Sequence, residues 1–164
     1  MIIIKAAAAV LVFFVSGNLA GEYKRYIEKR ISALEGFLSL LTFIKGELSC
    51  RLRTSAEWAE DFSQEALSAC GFITELRKTG NLCSAFTVAR GNLPPLGEDA
   101  TKLLSGYFSS FGKSYREEEY KETCRTFDEL SRLLTREKSD SQKSVRAVRV
   151  LSYAVAVGVI ILFL

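Results

Sequence analysis

The stretch IEKRISALEGFLSLLTFIKGEL, residues 27–48, decides the fold of this 164-residue chain. Its apolar residues recur at intervals of three and four, which places them on one face of an α-helix over about three heptads. They are Ile27, Ile31, Leu34, Leu38, Leu41, Ile44 and Leu48. The chain has no long stretch of β-type alternation or hairpin turn sequence, and its two prolines are adjacent. The sequence therefore predicts an all-α protein.

Further helices are expected along the rest of the chain. Thr54 and Glu57 have the spacing of a capping box, which predicts a second helix running through Leu67. Later helices are expected over 72–78, 81–90 and 98–111, and a last helix begins near Ser114. That helix should bury Tyr120, Cys124, Phe127, Leu130 and Leu134. Residues 22–149 are thus predicted to form one domain, a six-helix bundle whose first and last helices pack antiparallel.

The N-terminus carries an apolar run in which Lys5 is the only charged residue before position 21. Twenty residues at a rise of about 1.5 Å cover roughly 30 Å, the thickness of a bilayer's hydrocarbon core. A cleaved signal peptide and an uncleaved membrane helix both fit this run. The positive-inside rule favours a membrane helix over residues 1–21, with the following chain in the cytoplasm, because most of the basic residues come after the run. They are Lys24, Arg25, Lys29 and Arg30.

The C-terminus ends in a second apolar run, residues 150–164, which contains no charged side chain. Lys143, Arg146 and Arg149 precede this run. The same rule therefore places residues 22–149 in the cytoplasm and predicts a second membrane helix over 150–164. Fifteen residues are short for a span, but Arg149 can extend its guanidinium to the headgroups. A soluble domain with a core helix at each end is the alternative.

Composition argues against an enzyme. The chain has no histidine, which removes the commonest general base and metal ligand. Its four cysteines form no C-x-x-C pair, and GKS at 112–114 lacks the upstream glycine of a phosphate-binding loop. With 22 basic and 19 acidic residues, the chain has no general positive field for nucleic acid. We expect no cofactor, no metal and reduced thiols in the cytoplasm.

Two segments carry a family resemblance. They are YFSSFGKSYREEEYKETCRTFDELSRLL, residues 107–134, and KSVRAVRVL, residues 143–151. With the N-terminal anchor and its basic flank, this layout resembles stage III sporulation protein AB of endospore-forming bacteria. That family shows an LG-x-SLG-x-SD-x-x-x-Q-like turn, which appears here as GYFSSFGKSYREEEY. Tyr115 stands where Asp is usual, and Tyr120 lies near the usual Gln. The positions that match, or nearly match, are Gly106, Phe111, Gly112, Ser114 and Tyr120.

The resemblance implies a function. The family is similar to a cytoplasmic six-helix domain of type II secretion F-type platform proteins. It implies a non-enzymatic membrane platform in the outer forespore membrane, with its central domain in the mother-cell cytoplasm. There it would couple a secretion-type ATPase, stage III sporulation protein AA, to the other components of a channel between mother cell and forespore. Whether it forms a homo-oligomer is open. The alternative function is a secreted or membrane-surface helical interaction module with a cleaved N-terminal signal.

A partner surface is expected at the end of the bundle away from the membrane. In an antiparallel layout, the end of the first helix and the start of the last helix form this end. Helix caps and charges matched to the helix dipole are the alternative explanation for these residues. The candidate residues are Arg51, Arg53, Thr54 and Glu57 on one side, and Lys113, Arg116, Glu117, Glu118 and Glu119 on the other.

Overall fold

The computed structural model describes residues 2–50 and 55–163, and for 2–17, 19, 20, 55, 56, 58, 149, 156 and 159–163 it describes the backbone alone. Every regular element in this part of the chain is an α-helix, which confirms the all-α prediction. The helices are α1 Ile2–Cys50, α2 Ser55–Asp61, α3 Glu65–Ala69, α4 Phe72–Thr79, α5 Leu82–Asn92, α6 Glu98–Ser110 and α7 Arg116–Phe163.

The chain divides into two compact units. One is Lys29–Arg136, and the other combines Met1–Glu28 with Glu137–Leu164. In the part of the chain that the structure describes, no helix has a segment long and apolar enough to cross a bilayer. Most side chains of the predicted span 1–21, and those of 156 and 159–164 in the predicted span 150–164, lie outside the described ones. These spans therefore stay predictions.

An aromatic cluster forms the centre of the unit Lys29–Arg136. Phe37 of α1 makes edge-to-face contacts with Phe72 of α4 and Phe86 of α5, with ring centroids 5.5 Å and 5.6 Å apart. Phe108 of α6 packs against all three rings. Such pairs are worth about 0.5–1.5 kcal/mol each beyond the apolar area they bury. The cluster therefore joins α1 to the three consecutive helices α4, α5 and α6 at one point.

Within this unit, the start of α6 lies beside the start of the α1 segment, and the start of α7 lies beside the end of α1. Gly97, which precedes α6, lies against the guanidinium of Arg30 near the start of the unit, whereas Arg116, which opens α7, contacts Leu48 near the end of α1. Phe62, which follows α2, packs on Phe43 of α1. The chain therefore enters and leaves the unit at one end, and the α6–α7 turn lies at the other.

The prediction of one helix from Thr54 through Leu67 is wrong in its second half. The chain leaves the helix after Asp61 and resumes at Glu65, where the side chain of Gln64 caps α3 by accepting from the Ala66 N–H at 2.9 Å. In a continuous helix, residues five apart point about 140° away from each other. The break lets Phe62 pack on Phe43 while Leu67 packs against α1 near Gly36.

The buried face of α7 also differs from the prediction. Leu130 and Leu134 are buried as expected, but Tyr120, Cys124 and Phe127 are half-buried. The residues buried beside the two leucines are polar, namely Glu119, Thr123 and Thr126. On this face, Thr123 is hydrogen-bonded to the buried hydroxyl of Tyr107 on α6, so a polar residue is satisfied in the core.

Candidate partner surface at the end of α1 and α7

The end of α1 and the start of α7 meet through a side chain. The Nε of Arg116 donates to the backbone carbonyl of Leu48, one of the last four carbonyls of α1, which have no partner within their own helix. One turn earlier on α1, the ammonium of Lys45 lies 5.9 Å and 6.0 Å from the ring centroids of Tyr120 and Phe127. These contacts place the predicted residue Arg116 at the end of α1, as the antiparallel arrangement requires.

A glycine and a buried carboxylate shape the α6–α7 turn. Gly112 has a φ of 81°, a left-handed conformation that costs a residue with a Cβ about 1–2 kcal/mol. Its N–H donates to Glu119 Oε1 at 2.9 Å. Glu119 is only 7% exposed, so it does not belong to the accessible surface where the sequence placed it. Its carboxylate holds the turn that precedes its own helix, which is a structural role.

A hydrogen-bond chain continues from Glu119 into the core. Thr123 Oγ1 donates to the Glu119 backbone carbonyl at 2.7 Å. Because a threonine has a single O–H, the Tyr107 hydroxyl is the donor in its 2.8 Å bond to Thr123 Oγ1. Burial raises the pKa of Tyr107 well above its ordinary range. The chain fixes α6, α7 and the turn between them.

The other predicted surface residues are divided between the exposed end and the undescribed segment. Lys113, Glu117 and Glu118 are exposed, and so is Glu57 in the first turn of α2. Arg51, Arg53 and Thr54 lie outside the described residues. The turn also presents Tyr115, whose side chain is 85% exposed. The structure therefore brings Lys113, Arg116, Glu117 and Glu118 together beside the end of α1.

A groove beside this turn was not predicted from the sequence. It has a volume of about 470 Å³, and its walls come from the α4–α5 turn and the end of α6. Asn81 and Cys83 line one side, and Phe108, Phe111 and Lys113 line the other. The α4–α5 turn is marked in the sequence by the Gly80–Asn81 dipeptide, but nothing in the sequence pairs it with a turn some thirty residues later.

The basic residues predicted at the membrane boundary have several environments. Lys24 pairs with Glu28 at 3.4 Å, Arg25 with Glu22 at 2.9 Å and Lys143 with Asp140 at 4.0 Å, all on exposed helix faces. Lys29 and Arg146 are exposed, whereas the Arg149 side chain lies outside the described residues. Arg30 is half-buried and its Nη2 donates to the Leu96 carbonyl at 3.3 Å. Besides its predicted place at the membrane boundary, Arg30 therefore connects α1 to the loop before α6.

The cysteines show no sign of a metal centre in the described part of the chain. All four are free thiols, of which Cys50 and Cys83 are exposed and Cys70 is buried. Burial raises the pKa of the Cys70 thiol, so this side chain is neutral at physiological pH. No three cysteine, aspartate or glutamate side chains among the described residues come together as a potential metal site.

These features define a protein whose described elements are all α-helices. The sequence model of the stage III sporulation protein AB family matches residues 5–164, essentially the whole chain. The chain belongs to this family, as its resemblance had indicated, and so to a family of sporulation proteins. No curated protein and no solved structure matches the chain.

Proposed function

We propose that the chain is a non-enzymatic platform component of a secretion-like channel assembly between mother cell and forespore. Residues 1–21 and 150–164 would anchor it in the outer forespore membrane, and residues 22–149 would form a six-helix bundle in the mother-cell cytoplasm. In this proposal, α2 and α3 count together as one interrupted helix of the six. Family membership over residues 5–164 supports the role in sporulation.

The observation that carries the proposal is the contact between Arg116 and Leu48. Together with the contact of Lys45 to the rings of Tyr120 and Phe127, it supports an antiparallel arrangement of α1 and α7 within the unit Lys29–Arg136, in which both would lead out of this unit at the same end. Two anchors continuing from these helices would leave the α6–α7 turn at the opposite end. Such a placement suits a contact with a cytoplasmic ATPase, stage III sporulation protein AA, because that surface would be the one farthest from the bilayer.

A topology experiment tests the anchors. We expect an alkaline phosphatase fused after Leu164 to be active outside the cytoplasm, and a fluorescent protein inserted at the exposed residue Gly91 to report from inside. Intact mass of the purified protein should include Met1 or begin at the next residue. A protein that begins near Ala20 would instead support the secreted module. A full-length fusion whose phosphatase is inactive would contradict the second span, because the disulfides of this enzyme do not form in the cytoplasm.

The ATPase contact is tested on the full chain in lipid nanodiscs, with the purified ATPase as ligand at low and high salt. Glu117 and Glu118 lie side by side in the first turn of α7 and are exposed. Reversing both to Lys should weaken an electrostatically guided encounter at low salt. The matched control reverses Glu98 and Asp99, which lie in the first turn of α6 at the other end of the unit. Equal binding by the two double variants would remove this surface from the proposal.

A further inference from the structure

We propose that the groove between the α4–α5 turn and the end of α6 is the docking site for a partner segment that carries both apolar and acidic side chains. This inference rests on the proposed function only in that a platform needs a partner surface at this end. It adds a site that includes Asn81, Cys83, Phe108 and Phe111, none of which the charged surface described above contains.

The size and lining of the groove suit a protruding side chain. Its volume of about 470 Å³ lies within the range of about 300–1,000 Å³ that is usual for ligand pockets. Phe108 and Phe111 both line it, but Phe108 is buried in the aromatic cluster, so the aromatic surface that remains open to a ligand is that of the half-buried Phe111. Covering such a surface with an apolar side chain contributes about 25 cal/mol for each Å² removed from water.

The charge of the groove selects the partner. Lys113 is the single charged residue among those lining it, and no described carboxylate lies within ion-pair distance of its ammonium. The nearby Glu119 is buried and engaged by the Gly112 N–H. The side-chain oxygen of Asn81 is likewise occupied, because it caps α5 by accepting from the Cys83 and Ser84 N–H groups. A carboxylate on the partner would therefore complement the one available charge.

Both walls of the groove are fixed before any ligand arrives. Gly80 ends α4 in a left-handed conformation, and Asn81 begins α5 with two hydrogen bonds. On the opposite wall, Glu119 holds Gly112. A preformed site loses little conformational entropy on binding, which leaves more of the contact energy for affinity.

The test uses the exposed thiol of Cys83, which lines the groove, and the exposed thiol of Cys50, which does not. The full chain in nanodiscs is alkylated with iodoacetamide, and mass spectrometry gives the rate at each cysteine. The probe is a synthetic peptide of leucine, phenylalanine and glutamate, and the control peptide has lysine in place of glutamate. At about twice its Kd, the acidic peptide should slow alkylation of Cys83 about threefold and leave Cys50 unchanged.

The variant Lys113→Glu provides the matched test of charge. It should abolish protection by the acidic peptide and confer protection by the lysine peptide. Lys113→Gln carries no charge at this position, so it should favour neither peptide over the other. Equal slowing at both cysteines, protection independent of peptide charge, or no protection by millimolar peptide would each overturn the proposal. The experiment requires neither the ATPase nor a particular membrane orientation, so its failure is distinguishable from failure of the proposed function.

Discussion

The carboxylate of Glu119 accepts a hydrogen bond from the backbone N–H of Gly112, with 2.9 Å between Oε1 and N. Glu119→Ala removes this acceptor from a buried position and leaves the Gly112 N–H without its bond. Loss of a partner at a buried polar group costs about 1–3 kcal/mol. We expect the variant to unfold at a lower temperature than the parent, as measured by circular dichroism on the full chain in nanodiscs.

Two controls separate the turn contact from simple loss of charge. Glu119→Gln keeps an oxygen that can accept from Gly112 and should recover most of the loss. Glu117→Ala, two residues earlier and exposed, should stay within about 0.5 kcal/mol of the parent. If Glu119→Ala and Glu117→Ala melt together, the buried hydrogen bond contributes nothing and the structural role assigned to Glu119 is wrong.

Gly112 and Gly106 give a pair of alanine substitutions with opposite expected signs. A Cβ meets no heavy atom within 4 Å at either position, so conformation alone decides the outcome. At Gly112, with φ of 81°, alanine should cost about 1–2 kcal/mol. At Gly106, inside α6, alanine should stabilise by about 0.5–1 kcal/mol. Thermal melts of the two variants check this, and the same sign for both would contradict the assigned turn.

Alanine substitutions at Phe37 and Leu38 test whether the aromatic cluster is the centre of the core. Phe37 is fully buried in the aromatic cluster, whereas Leu38 is half-buried at its margin. Phe37→Ala should therefore cost about 3–5 kcal/mol, through lost transfer energy and the cavity it leaves. Leu38→Ala should cost clearly less, because a partly exposed site can relax and admit water. Urea titrations of both variants measure the difference, and a larger loss at Leu38 would show that the cluster is not the centre of the core.

The sequence predicted the parts of the fold that depend on local periodicity. The apolar repeat from Ile27 to Leu48 predicts the helix over these residues, because spacing of three and four is a local property of a helix and does not depend on what packs against it. It does not predict the interruption after Asp61, which depends on Phe62 reaching Phe43 of another helix. It also missed the polar residues on the buried face of α7, since the hydrogen bond between Thr123 and Tyr107 joins two helices and leaves no local signal in the sequence.

The candidate site was predictable where chain connectivity determines it. An antiparallel first and last helix brings Arg116 to the end of α1 whatever the details of packing, and this contact is present. The burial of Glu119 was not predictable, because it depends on a backbone N–H that only the folded turn presents. The groove was missed for a related reason. Its walls are two turns, at Gly80 and Gly112, whose proximity is set by the lengths and directions of α5 and α6.

The hydroxyl of Tyr107 should make stability fall at alkaline pH. Its pKa is raised in the folded state by burial, so above about pH 10 the unfolded chain loses this proton while the folded chain retains it. The contribution of Tyr107 to the free energy of unfolding is therefore complete below that pH and declines above it, by up to about 1.4 kcal/mol per pH unit.

Tyr107→Phe removes the titrating group and, at neutral pH, costs about 0.5–1.5 kcal/mol through the lost bond to Thr123. Urea unfolding of both proteins from pH 8 to 11 gives the difference between their free energies of unfolding. The contributions of the other tyrosines are common to both proteins and cancel in this difference. The two stability curves should converge as pH rises, and curves that stay parallel would mean that Tyr107 ionises freely in the folded state.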